Sequence, residues 1–117
     1  MQVNSIQSNQ SFGALTIKPE AMKVLKQRVT KEAEIKELRE LIKAQEGNIF
    51  NAIVEKQVYN GGLSGYVSDG STYCNNFKEG FFEQLFSSPV KFVKKLCKDA
   101  DKQMERYNLT SKLDNLA

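Results

Sequence analysis

The sequence predicts a small α+β domain. Its expected parts are an N-terminal helix or helix pair, a three-stranded antiparallel meander, a short aromatic helix, and a long C-terminal amphipathic helix packed on the sheet. Three observations carry that prediction. From Ser88 to Tyr107 apolar residues recur at helical spacing opposite a ridge of lysines. From Asn48 to Asn76 hydrophobic residues alternate and are punctuated by Asn60-Gly61 and Asp69-Gly70, which favour hairpin turns. Pro19 and Glu20 open a second helical region, with proline in the first turn and an acid near the positive end of the dipole.

At 117 residues the chain fits one domain with room for a core. The expected division is a mobile segment over 1–13, a single α+β domain over 14–108, and a tail over 109–117. The first segment, MQVNSIQSNQSFG, is polar and lacks periodicity. Leu15 and Ile17 then alternate like a short strand.

The helical region from Pro19 to Glu46 reverses its apolar face. Met22, Leu25, Val29 and Ala33 share one side, whereas Ile35, Leu38 and Ile42 share another, turned by close to 180° on a straight helix. Either the helix breaks near Thr30, which would cap a second helix from Lys31, or one long helix buries different faces at its two ends. Ile35, Leu38 and Ile42 are therefore the candidate partner surface. Gly47 supplies a C-terminal stop.

Phe50, Ala52, Val54 and Val58 form the first strand of the meander. Leu63, Gly65 and Val67 form the second, and Thr72 to Asn76 the third. Gly65 within the middle strand marks a bulge or a close approach. Phe77 to Phe86 is dense in aromatics, with Phe82, Leu85 and Phe86 at helical spacing, and reads as a short helix packing on the sheet, with a ligand or partner groove as the alternative.

Ser88-Pro89 is a helix start: a hydroxyl to accept a free amide, and a proline at the first helical position. Val90, Val93, Cys97, Ala100, Met104 and Tyr107 share one face, widened by Phe92 and Leu96. Lys91, Lys95, Lys98 and Lys102 lie behind it in a sector roughly 60° wide. Lys91, Lys94 and Lys95 sit in the first half of the helix, where the macrodipole disfavours cations by about a few tenths of a kcal/mol. Leu109, Leu113 and Leu116 follow and are expected to fray with the tail or to extend the apolar stripe.

The net charge of +3 is mild, and it is unevenly spread. Residues 18–46 carry eight Lys/Arg against six Glu, 47–88 two against four acids, and 89–117 seven against four. The basic excess flanks an acidic, aromatic-rich middle, which is compatible with anion binding by the ends or with association between the parts.

Histidine is absent, which removes the commonest general base, the commonest metal ligand, and the Ser-His and Cys-His nucleophile pairs. Cys74 and Cys97 lack metal-site spacing, and Cys97 lies on the apolar stripe. No phosphate-cradling glycine loop, calcium loop or poised carboxylate pair occurs. No enzymatic activity, cofactor, metal or small-molecule ligand is therefore expected. Two isolated cysteines, no apolar leader and no run of transmembrane length place the expected location in the cytoplasm.

Two functions fit these features. The first is a protein-interaction module, self-associating or with a protein partner, through Ile35, Leu38 and Ile42. The second is binding of a polyanion, nucleic acid or an acidic surface, through Lys91, Lys95, Lys98 and Lys102. The order helix, three strands, helix is loosely similar to the double-stranded-RNA-binding fold, in which lysines near the start of the last helix touch phosphates. That similarity ends at the order of elements: an aromatic helix intervenes here, and the family's characteristic loop residues are absent.

Overall fold

The structure is a computed structural model that describes residues 15–70 and 73–116, with the side chains of Tyr73 and Cys74 outside the description. The segment over 1–13, for which mobility is expected, lies outside it. In chain order the elements are β1 (Leu15–Ile17), α1 (Pro19–Arg28), α2 (Glu32–Gln45), β2 (Asn51–Lys56), β3 (Leu63–Ser68), β4 (Tyr73–Lys78), α3 (Phe81–Phe86) and α4 (Pro89–Asp114). The α+β class is as the sequence predicts, with one addition. The sheet has four described strands in the order β1-β2-β3-β4, because Leu15–Ile17 pairs parallel to β2 beside the antiparallel meander.

Alternation sets the inner face of the sheet. Ala52, Val54, Leu63 and Val67 are fully buried, and the register places Ala52 opposite Val67 and Val54 opposite Gly65. Helix α4 lies on this face through Val93, Leu96, Cys97 and Ala100, and α1 adds Ala21, Val24 and Leu25. Gly65 is a close approach rather than a bulge. A Cβ there would sit 2.5 Å from Leu96 Cδ1 and 2.6 Å from the Ile53 carbonyl oxygen, so the strand has no room for a side chain. The register irregularity of the hairpin lies instead between Val67 and Ser68.

The helical region is a pair. The break falls at residues 29–31, but Thr30 is not the cap; the Glu34 carboxylate reaches back to accept from the Thr30 and Lys31 amides, each at 3.1 Å. Gly47, at φ 87°, follows the end of α2 as expected. Leu38 and Leu41 pack on the core, whereas Ile35 and Ile42 remain 48% and 40% exposed.

Three local expectations fail. The two-residue turn at Asn60-Gly61 does not form: β2 ends at Lys56, Gly61 has no positive φ, and the connection spans 57–62. Asn60 Oδ1 instead accepts from the Gly62 amide at 2.8 Å, closing a turn within the longer loop. Val58 consequently leaves the sheet and stands 82% exposed. Second, α3 does not pack on the sheet; its large apolar side chains face solvent. Third, α4 runs to Asp114 rather than fraying after Tyr107, and Leu109, Leu113 and Leu116 do not extend the buried stripe. At about 100° per residue Leu109 and Leu113 lie roughly opposite Ala100, on the far side of the helix from the core, and Leu116 lies past the end of the helix.

Candidate functional site

The end of the molecule where β2, β3, β4 and α1 meet is held by buried polar groups. Arg28, the last residue of α1, sends both terminal guanidinium nitrogens to Glu79, Nη1 to Oε1 and Nη2 to Oε2 at 3.0 Å. The Glu79 side chain is 1% exposed. Its Oε1 also accepts from the Leu63 amide at 2.8 Å, so the carboxylate is compensated from two sides. Gln57 Nε2 donates to the carbonyls of Leu63 and Glu79 at 3.0 and 2.9 Å. A buried charge without such partners would be costly; here hydrogen bonds from α1, β3 and the residues after β2 and β4 converge on it.

That network fixes the C-terminal end of α3, and a local cap closes the other. Arg28 Nη2 reaches the carbonyls of Glu83 and Ser87 at 3.4 and 3.2 Å, placing a cation on the negative end of the short helix. At the other end the Glu83 carboxylate accepts from the Gly80 amide at 2.8 Å. Gln84 Nε2 lies 3.4 Å from Asn60 Oδ1 and so ties α3 to the 57–62 loop. Gly62 admits this arrangement, since a Cβ there would meet the Gln84 and Gln57 side chains.

What the support presents is apolar. Phe81, Phe82, Leu85 and Phe86 are 59–80% exposed, and Val58 and Tyr59, on the tied loop, are 82% and 98% exposed. Phe82 stacks on Phe86 at 6.3 Å and meets the edge of Phe81 at 5.6 Å, so the rings order one another. The three phenylalanines alone present on the order of 450 Å² of apolar surface, within the range of the largest patch that soluble monomers usually show, roughly 300–600 Å². Exposed lysines flank it. Lys31 shares a surface depression with Leu85 and Phe86; Lys56 and Lys78 share another with Val58 and Tyr59. The acids alongside are engaged elsewhere: Glu34 accepts from the Ser88 hydroxyl at 2.6 Å, and Glu55 pairs with Lys18 at 3.2 Å. Ser88, together with the Thr30 and Lys31 amides, holds the Glu34 carboxyl below the usual carboxylate range.

Sequence reasoning favoured the core over a partner groove for these aromatics. The signal available was the pair Glu83-Gln84, the polar residues in a six-residue helix, both of which take the inward side.

The residues singled out from sequence lie elsewhere. Leu38 sits on the core, and Ile35 and Ile42 stand seven residues apart on the outer side of α2, so the trio does not form one exposed stripe. Lys91, Lys95 and Lys98, with Lys94, line one shallow depression of α4, and Lys102 is exposed further along. Lys95 lies 5.7 Å from the centre of the Phe77 ring, and Lys94 pairs with Glu37 at 3.4 Å. Cys97 is buried; desolvation first, and the Asp101 charge second, push its thiol up to about 12. It is therefore a packing residue with no thiolate at neutral pH. No group of three metal-ligating side chains converges among the described residues.

Comparison with protein-family models, with curated proteins and with solved structures found no match, so a functional reading rests on this chain's own surface.

Proposed function

We propose that the chain is a non-enzymatic protein-interaction module that docks a partner protein through the aromatic face of α3 and the adjoining 57–62 loop. The observation that carries this reading is the combination of an outward-facing Phe81, Phe82, Leu85 and Phe86 with a buried ionic support that holds the helix in that pose. Buried charge is a poor source of net stability compared with apolar packing. Its use here is to position α3, which at six residues is too short to persist by its own propensity.

Charge selects the kind of partner. With Lys31 on one side and Lys56 and Lys78 on the other, two copies meeting face to face would bring cations together, whereas an apolar segment flanked by Asp or Glu is complementary. A peptide-display selection against the purified chain tests this. The expected outcome is enrichment of peptides with aromatic or aliphatic anchors beside acidic residues, each losing at least about tenfold in affinity on Phe82→Ser/Phe86→Ser, the loss of one to two kcal/mol that anchor residues commonly carry. Peptides that bind the double variant equally well sink the reading, and a dimer abolished by the same variant would make a second copy the partner.

A further inference from the structure

The outer face of α4 carries two chemistries in one line. Lys91, Lys95, Lys98 and Lys102 occupy a sector roughly 60° wide opposite the buried Ala100, Leu109 and Leu113 return to that same sector further along the helix, and Leu116 follows in the turn just past its end. All seven are exposed, and the three leucines stand outside the hydrophobic core at 56%, 65% and 82% exposure. Three acids border the ridge: Asp99, which accepts from Asn75 at 3.0 Å, Asp101, which accepts from Gln45 at 3.1 Å, and the exposed Glu105. The sector itself holds four lysines and no acid, so it is cationic where the helix is backed by the core, and the leucines follow where the helix runs on past the core.

We propose that this face binds the surface of an anionic lipid bilayer, with the lysines on headgroup phosphates and carboxylates and the leucines at the boundary between headgroups and acyl chains. The alternatives fit half of the face each. Nucleic acid would engage the lysines and leave three leucines in water. A second copy, overlapped antiparallel along the whole helix, sets lysines against leucines; overlapped parallel, it sets lysines against lysines. Tail-to-tail contact over three leucines falls well short of the roughly 800 Å² per partner of a standard interface. An anionic bilayer offers charge and apolar depth in one plane, and attraction to such a surface grows with both. No described helix is long and apolar enough to cross a membrane, so the contact is a surface one. The proposal is independent of the α3 reading, which uses other residues at another place.

The chain contains no tryptophan, so Leu113→Trp introduces a single reporter. The probes are vesicles of phosphatidylcholine with phosphatidylserine, and vesicles of phosphatidylcholine alone. At low salt the reporter chain is expected to co-sediment with the mixed vesicles and shift its emission to the blue, to ignore phosphatidylcholine alone, and to be released at high salt. Lys95→Glu/Lys98→Glu/Lys102→Glu should lower partitioning by about a hundredfold or more, at roughly fivefold per lysine. Leu109→Ser/Leu116→Ser in the reporter background should lower it by at least about tenfold. Circular dichroism of each variant verifies that these exposed positions leave the fold intact. Failure to co-sediment with mixed vesicles at low salt overturns the proposal. So does binding that both variants retain, or a blue shift seen with Phe82→Trp but absent with Leu113→Trp.

Discussion

Arg28 and Glu79 stand 51 residues apart in sequence and meet at a carboxylate that is almost wholly enclosed. Removing one partner of such a pair leaves the other buried and uncompensated, which commonly costs about 3–5 kcal/mol. Arg28→Ala should therefore lower the free energy of unfolding, read from a urea titration, by about 3 kcal/mol or more. Adding Glu79→Gln should recover part of the loss, because the amide oxygen still accepts from the Leu63 amide and carries no charge. A double variant less stable than Arg28→Ala alone would contradict that account. Cys97 makes the second prediction at this scale. Its thiol is raised to about 12 by burial, against about 8.5 in an unfolded chain. A raised pKa gives stability that is fully present below the unfolded value and is lost as pH rises toward the folded one. The advantage of the wild-type chain over Cys97→Ala in thermal unfolding should thus be constant below about pH 8.5 and narrow steadily above it. A gap that stays constant into the alkaline range would show that the thiol does not titrate differently on unfolding.

Elements differ in how far their neighbours in sequence determine them. In α4 the Ser88-Pro89 start and the stripe from Val90 to Ala100 were legible, because cap and periodicity lie within the helix itself; Ser88 Oγ does accept from the Val90 amide, at 3.2 Å. The stop at Gly47 was legible for the same reason. The turn at Asn60-Gly61 was not. Gln57 is drawn into the buried network by Leu63 and Glu79, which ends the strand early and lengthens the loop. The orientation of α3 was hidden likewise, since what holds it is an arginine from α1 that no local pattern announces. Hydrophobic spacing identified a helix there but not which way it faces. The leucines after Tyr107 leave the buried stripe for a simpler reason: rotation by about 100° per residue carries Leu109 and Leu113 to the lysine side, and Leu116 lies past the end of the helix.

On the scale of the whole molecule, the core and its display surfaces are separate. The sheet face, α1 and the first three turns of α4 enclose the core, with Leu38 and Leu41 of α2 packed against it, and the described apolar side chains left over collect mainly at two places, the α3 end and the far part of α4. The central claim is that the α3 aromatics belong to a display surface and contribute nothing to the core. Urea unfolding of Phe82→Ser/Phe86→Ser measures this most directly. Exposed positions change stability by about 0.5 kcal/mol or less each, whereas truncating a buried phenylalanine costs about 3–5 kcal/mol. The account predicts a double variant within about 1 kcal/mol of the wild-type chain; a loss of several kcal/mol would place those rings in the core and contradict it.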